Sequence, residues 1–155
     1  MSNIWVEIHS PFLLGIIMIA HLIRQPKYAI VYVVCSVINN QFNRVLKRIY
    51  KEPRPQESSY DKTHDDTYGM PSGHAQHIVF TLVFLVLVRP SWIVFWICLT
   101  VGVIGVMERY LHRRHTINQL LVGGMVGGVF AVVSVATFRF FGTRDFWERR
   151  SLVRK

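Results

Sequence analysis

The sequence predicts an all-α, polytopic membrane bundle of about five helices, the active site lying at helix ends on one membrane face. Three observations carry that expectation. Of 155 residues 51% are hydrophobic, yet the chain has a net charge of +9 and a mean hydropathy of +0.29. The apolar residues are gathered into runs: 30–38 is broken only by Ser36, 78–88 only by Thr81, and 91–107 is nearly free of polar groups. These runs lack the polar face that a soluble bundle shows at helical period.

The elements follow in order. A short first helix is expected over 11–24 with Pro11 in its first turn; a tilted span, a re-entrant piece and an interfacial helix all remain open. The second, over 27–51, begins apolar and ends polar (Asn39, Asn40, Asn43, Arg44, Lys47, Arg48), and Pro53 and Pro55 stop it. Residues 52–70 form a polar, acid-containing loop. The third helix runs over 72–88 to Arg89-Pro90, the fourth over 91–110 and the fifth over 116–141. Gly123, Gly124, Gly127 and Gly128 give the fifth a small-residue surface for close packing. Residues 142–155 form a basic tail with Phe146 and Trp147 as interfacial aromatics.

The chain reads as a single domain over 1–155, with no internal repeat and no signal peptide. Its positive charge is assigned to juxtamembrane anchoring and not to nucleic acid. Cys35 and Cys98 lie in apolar segments and read as packing residues, so no disulfide framework follows. His9 and His21 read as interfacial or structural, and the Asn39, Asn40 and Asn43 group as interhelical hydrogen-bonders.

Pro71-Ser72-Gly73-His74 places a histidine and unpartnered first-turn amides at a helix start, where an anion is well held. If helices two to five each span, the places carrying Lys47 and Arg54, Ser72 to His74, Arg109, and His115 share one membrane face. Cleaving a phosphate ester or anhydride needs charge neutralisation, a nucleophile and an acid for the leaving group. Lys47, Arg54 and Arg109 can supply the first, arginine being suited to bidentate phosphate contacts. Two imidazoles can divide attack and proton donation. Gln119, one turn after His115, can accept from its ring N–H.

Lys47-x6-Arg54-Pro55, Pro71-Ser72-Gly73-His74 and Arg109-x5-His115 resemble the three signature motifs of the type-2 phosphatidic acid phosphatase superfamily, over about residues 47–119. The resemblance implies that His115 is the nucleophile forming a phosphohistidine and His74 the general acid. It implies that Lys47, Arg54, Ser72, Gly73 and Arg109 hold phosphate, with no metal and no cofactor. Two positions depart from the pattern: Glu108 stands where the family usually has Ser, and Gln119 where it usually has Asp. His115-Thr116…Gln119, Tyr110-Leu111 and the Gly69–Gln76 stretch are similar to the dolichyl-diphosphatase branch, which implies a polyprenyl diphosphate substrate.

The expected function is therefore metal-independent hydrolysis of a lipid-linked diphosphate. The alternatives are a phosphatidic acid or other lipid phosphate phosphatase, and a non-catalytic membrane protein that binds a lipid phosphate. His77 and His112, each three residues from a site histidine, would allow a metal, but no carboxylate or Cys set supports it. His77 instead reads as facing an interhelical seam, His112 with Arg113 and Arg114 as a solvated loop, and His64, Asp65 and Asp66 as a hydrated one. Glu108 reads as an arginine partner. The positive-inside rule puts the basic tail in the cytoplasm and the site on the lumenal or extracytoplasmic side of a multi-pass protein. That is the endoplasmic reticulum in a eukaryote or the plasma membrane in a bacterium. Oligomeric state is not legible.

Overall fold

Five helices follow one another: α1 (Ile4–Leu22), α2 (Pro26–Tyr50), α3 (Gly73–Val88), α4 (Trp92–Leu111) and α5 (Ile117–Val153). This is a computed structural model that describes the backbone of residues 4–55 and 68–153, and the side chains of 10–55 and 68–141. Among the described residues there is no strand, only an isolated antiparallel bridge between Pro53 and Tyr68. His64, Asp65 and Asp66, the His9 side chain and the basic side chains of the tail lie outside the described residues.

Two boundaries differ from expectation. Helix α1 starts at Ile4, so Pro11 sits inside it and not in its first turn. A proline forfeits one backbone bond, which packing against neighbouring helices can offset. Here Ser10 is buried and a Cβ on Gly105 of α4 would come within 2.7 Å of its Oγ, while the Pro11 carbonyl faces His77 of α3. His77 thus does lie in an interhelical seam. Helix α5 continues beyond residue 141 to Val153, so the backbone of much of the basic tail is helical.

The prolines and caps act as their chemistry requires. Pro26 occupies the first turn of α2, and Lys51 ends that helix in the left-handed region (φ 49°), its N–H donating to the Lys47 carbonyl at 3.0 Å. Helix α3 is central: it packs most extensively on α5 and also touches α1, α2 and α4. Met18, Leu22, Tyr32, Phe80, Phe84, Leu85, Ala131 and Val135 form the main core. Tyr32 keeps its polar end satisfied there by bonding the Thr81 hydroxyl at 3.0 Å. His21 and Arg89 bond each other's backbone carbonyls at 3.0 and 2.9 Å, so His21 is a structural residue.

The glycines of α5 set how close α3 comes. A Cβ at Gly123 would run into the Ser72 carbonyl, and one at Gly127 into the Gln76 carbonyl; Gly124 and Gly128 lie on Val79. Backbone cannot rotate aside as a side chain can, so Gly127→Val is expected to cost about 1–3 kcal/mol of overpacking. A lowered midpoint of thermal unfolding in detergent checks it.

The exterior is apolar. Trp92, Ile93, Trp96, Val103 and Ile104 of α4 and Met125, Val129 and Val133 of α5 are all exposed, a surface suited to lipid and costly in water. Helix α4 and residues Ile117–Phe141 of α5 are long and apolar enough to cross a membrane. The expectation that α2 and α3 match them is not met by length and composition. With 16 residues, α3 rises about 24 Å, and the second half of α2 is polar. Three of those polar residues, Asn39, Asn43 and Lys47, share the inward face and are buried in the bundle, while Asn40, Arg44 and Arg48 are exposed. That inward polar face of α2 begins the site.

Candidate active site

Four helix ends meet where the topology argument put them. The start of α3 is anchored to α2 by an amide network. Asn43 Nδ2 donates to the Pro71 carbonyl at 3.1 Å and to Gln76 Oε1 at 2.8 Å. Gln76 Nε2 donates to the Asn39 carbonyl at 2.9 Å and to Asn39 Oδ1 at 2.7 Å. These buried amides satisfy one another, which fixes the α3 N-terminus in place. Asn39 and Asn43 are therefore the interhelical bonders the sequence suggested, whereas Asn40 is exposed. The network also explains Gly73, since a Cβ there would lie 3.2 Å from Asn43 Oδ1.

From the other side, the Ser72 N–H donates to the Gln119 carbonyl at 3.0 Å, joining α3 to α5. Ser72 itself is fully buried, and its hydroxyl has no hydrogen-bond partner among the described residues. An N-cap serine ordinarily spends that oxygen on its own helix. Here it is left over, as a ligand-holding hydroxyl would be.

His115 lies in the turn between α4 and α5, 4% exposed. Its Nδ1 is 3.2 Å from Gln119 Oε1. That oxygen also accepts from the Thr116 N–H at 3.2 Å, while Gln119 Nε2 donates to Glu52 Oε1 at 2.8 Å and to the Pro53 carbonyl at 3.0 Å. The amide orientation is thereby dictated by its neighbours: a backbone N–H must face its oxygen, and a carboxylate and a carbonyl must face its nitrogen. An acceptor opposite Nδ1 makes Nδ1 the protonated nitrogen, so the neutral ring keeps its lone pair on Nε2.

Burial pushes His115 down to about 4, and the positive charge of Arg54, with Lys47 and Arg109, pushes the same way; only the bond to Gln119 opposes them. The charges of all three cations therefore reach this ring. Protonation of the folded state is penalised while the unfolded chain titrates near 6.5. Stability contributed by the neutral ring is full above about pH 6.5 and is lost as pH falls toward 4. Wild type is thus expected to lose more thermal stability over that window than His115→Asn, measured by unfolding midpoints at stepped pH.

His74, at the first turn of α3, meets Arg109 at the end of α4, with Nη2 2.8 Å from Nε2. A guanidinium can only donate, so Nε2 of His74 accepts in this arrangement. Lys47 and Arg109 are each 7% exposed; Arg54 is half-buried. All eight residues singled out in the sequence are thus linked in one cluster by contact or field. Glu108 Oε2 is buried with no hydrogen-bond partner among the described residues. His112 is exposed and bonds only its own turn, at the Glu108 carbonyl, as a solvated loop residue would. Sequence reasoning missed Glu52 and Gln76. Glu52 had a signal, a carboxylate beside the Arg54-Pro55 pair; Gln76 carried the same polar-in-apolar signature as Asn39.

A cavity of about 550 Å³ opens beside His115, lined by Pro55, Tyr110, Leu111, Arg113, Thr116, Ile117 and Asn118. Comparison with known proteins agrees with the motifs and their geometry: the PAP2 superfamily matches residues 28–143, which takes in every residue of the cluster. The chain belongs to the PAP2 superfamily. Among curated PAP2 relatives, it is 32% identical over 120 residues to "Lipid phosphate phosphatase epsilon 1, chloroplastic" of Arabidopsis thaliana, covering 72% of this chain and 41% of that protein. It is 32% identical over 108 residues to "Dolichyldiphosphatase" of Saccharomyces cerevisiae, covering 61% and 45%. It is 30% identical over 121 residues to "Palmitoyl-protein thioesterase-dolichyl pyrophosphate phosphatase fusion 1" of Schizosaccharomyces pombe, covering 69% and 19%. The chain therefore spans less than half the length of these relatives. No solved structure matches it.

Proposed function

We propose that this chain is a membrane phosphatase that hydrolyses a lipid-linked diphosphate of the polyprenyl class through a phosphohistidine on His115. The observation that carries the reading is the contact of His115 Nδ1 with Gln119 Oε1, an acceptor that leaves the lone pair on Nε2, in a site where the charges of Lys47, Arg54 and Arg109 all act on the ring. A nucleophilic imidazole needs that tautomer, and a phosphoryl group needs that charge.

In the first step Nε2 of His115 attacks the terminal phosphorus. The N–P bond forms as the bond to the bridging oxygen breaks, and His74 gives that oxygen its proton. Lys47, Arg54 and Arg109 neutralise the equatorial oxygens, helped by the Ser72 hydroxyl and the amides around Gly73. As Arg109 turns to the phosphate, Nε2 of His74 is freed and takes up, from solvent, the proton that it gives to the leaving oxygen. In the second step His74 takes a proton from water, water attacks phosphorus, and the N–P bond breaks to give inorganic phosphate.

The polyprenyl assignment is supported by His115-Thr116…Gln119, Tyr110-Leu111 and the Gly69–Gln76 stretch, and by relatives named for dolichyl diphosphate. The cavity beside His115 has apolar walls in Tyr110, Leu111 and Ile117, suited to the first units of a chain leaving a polar head group. Three relatives named as lipid phosphate phosphatases favour the second reading, a phosphatidic acid or other lipid phosphate substrate. We place the site on the lumenal or extracytoplasmic face: with Lys47, Arg54 and Arg109 assigned to the site, the basic residues left as anchors are fewer on its face than on the opposite one.

The test is phosphate release by detergent-purified protein from polyprenyl diphosphate and from phosphatidic acid, with EDTA present. Faster release from the diphosphate, undiminished by chelator, is expected. Faster release from phosphatidic acid selects the second reading, and release from neither makes the chain a lipid-phosphate-binding protein.

A further inference from the structure

We propose that Glu52 is a positioning residue for His115, acting through Gln119. The inference rests on the phosphohistidine reading above and deepens it. In the signature pattern that this chain resembles, a carboxylate stands at the position of Gln119 and would face the ring directly. Here a neutral amide stands there, and the carboxylate arrives from the loop after α2. The connection runs from His115 Nδ1–H to Gln119 Oε1 at 3.2 Å, and from Gln119 Nε2–H to Glu52 Oε1 at 2.8 Å.

Several features make this arrangement a built one. Gln119 is fully buried, and both ends of its amide are engaged, so its rotation would set like dipoles against each other on both sides. There is no room for slack, because a Cβ on Gly69 would fall 2.5 Å from Gln119 Oε1. Glu52 is itself held: its carbonyl accepts from the Gly69 N–H at 2.8 Å, and Pro53 pairs with Tyr68 across the loop. The two ends of the polar loop are thus stitched together where Glu52 meets Gln119.

The chemical role follows from charge. As Nε2 of His115 bonds phosphorus, positive charge develops on the ring and strengthens the Nδ1–H donor. A carboxylate drawing on the amide N–H increases the negative charge on Oε1, since bonded dipoles polarise one another in a dry site. Glu52 therefore sets the ring's tautomer and steadies the charged ring without touching substrate. The carboxylate that the signature places at one position is here divided between two residues.

The experiment uses four full-length proteins: wild type, Glu52→Gln, Gln119→Asp and the double variant. Glu52→Gln keeps the shape and removes the charge. It is expected to lower kcat about 10- to 100-fold, the scale of lost outer-layer partners, with KM within about twofold. With Gln119→Asp the carboxylate faces His115 directly, and Glu52→Gln is expected to be neutral or beneficial there. Nitrogen-15 spectra of histidine-labelled protein supply a readout independent of turnover. Wild type should hold His115 as the Nδ1–H tautomer, with that population reduced in Glu52→Gln.

Equal losses of kcat from Glu52→Gln in both backgrounds, or an unchanged tautomer, would overturn the proposal. So would a wild-type ring protonated at Nε2, a result that needs no variant to fold. If wild type releases no phosphate from either lipid, the phosphatase reading fails, and the tautomer comparison still decides the role of Glu52.

Discussion

His115→Ala is expected to lower phosphate release from the preferred lipid by at least about 10,000-fold, the scale on which loss of a covalent nucleophile is felt. The residue is buried and lies within the field of Lys47, Arg54 and Arg109, so removing the ring leaves the phosphate site its charge. Binding of a non-hydrolysable diphosphate analogue should therefore persist within about tenfold, an effect on kcat and not on KM. A His115→Ala protein that retains a tenth of its turnover would show that another group attacks phosphorus.

His74→Ala is expected to cost about 100- to 10,000-fold with a lipid substrate, the range for a general acid. The loss should shrink strongly with p-nitrophenyl phosphate, whose leaving group departs without a proton. No such rescue is expected for His115→Ala, because the nucleophile is needed whatever leaves. The contact between Arg109 and His74 Nε2 adds a second feature. Arg109→Lys offers a compact point charge in place of a planar fork, so it should weaken phosphate binding and also disturb proton donation by His74. Equal losses for His74→Ala with both substrates would assign His74 to phosphate binding alone.

Much of this could be read from the residues because the chemistry is concentrated at helix ends. Long apolar runs with abrupt proline stops mark helices whatever their partners, and Pro26, Pro53 and Arg89-Pro90 fall where α2 and α3 begin or end. The convergence of Lys47, Ser72, Arg109 and His115 followed from chain order, since in an up-and-down bundle the end of one helix and the start of the next lie at the same end. The glycine spacing of α5 likewise told of close packing, and Gly123 and Gly127 do lie on the backbone of α3.

What the sequence hid were partnerships made across the fold. Pro11 looked like a helix start because the cost of an interior proline is local, whereas the packing that offsets it comes from α3 and α4. Glu52 looked like one more loop acid: its place beside Arg54-Pro55 marks it as near the site but does not say that it meets Gln119, 67 residues away. Gln119 alone reads as a weakened carboxylate; only the pair explains how the ring is held.

The central claim is a covalent phosphoryl group on His115, and rapid acid-free quenching of the reaction with terminally labelled polyprenyl diphosphate tests it most directly. The account predicts label on the protein that survives alkali, is lost in acid, maps to the peptide containing His115 and is absent from His115→Ala. It further predicts that the label forms and decays fast enough to lie on the path to inorganic phosphate. Full turnover with no labelled protein at any time, or label on a residue other than His115, would contradict it.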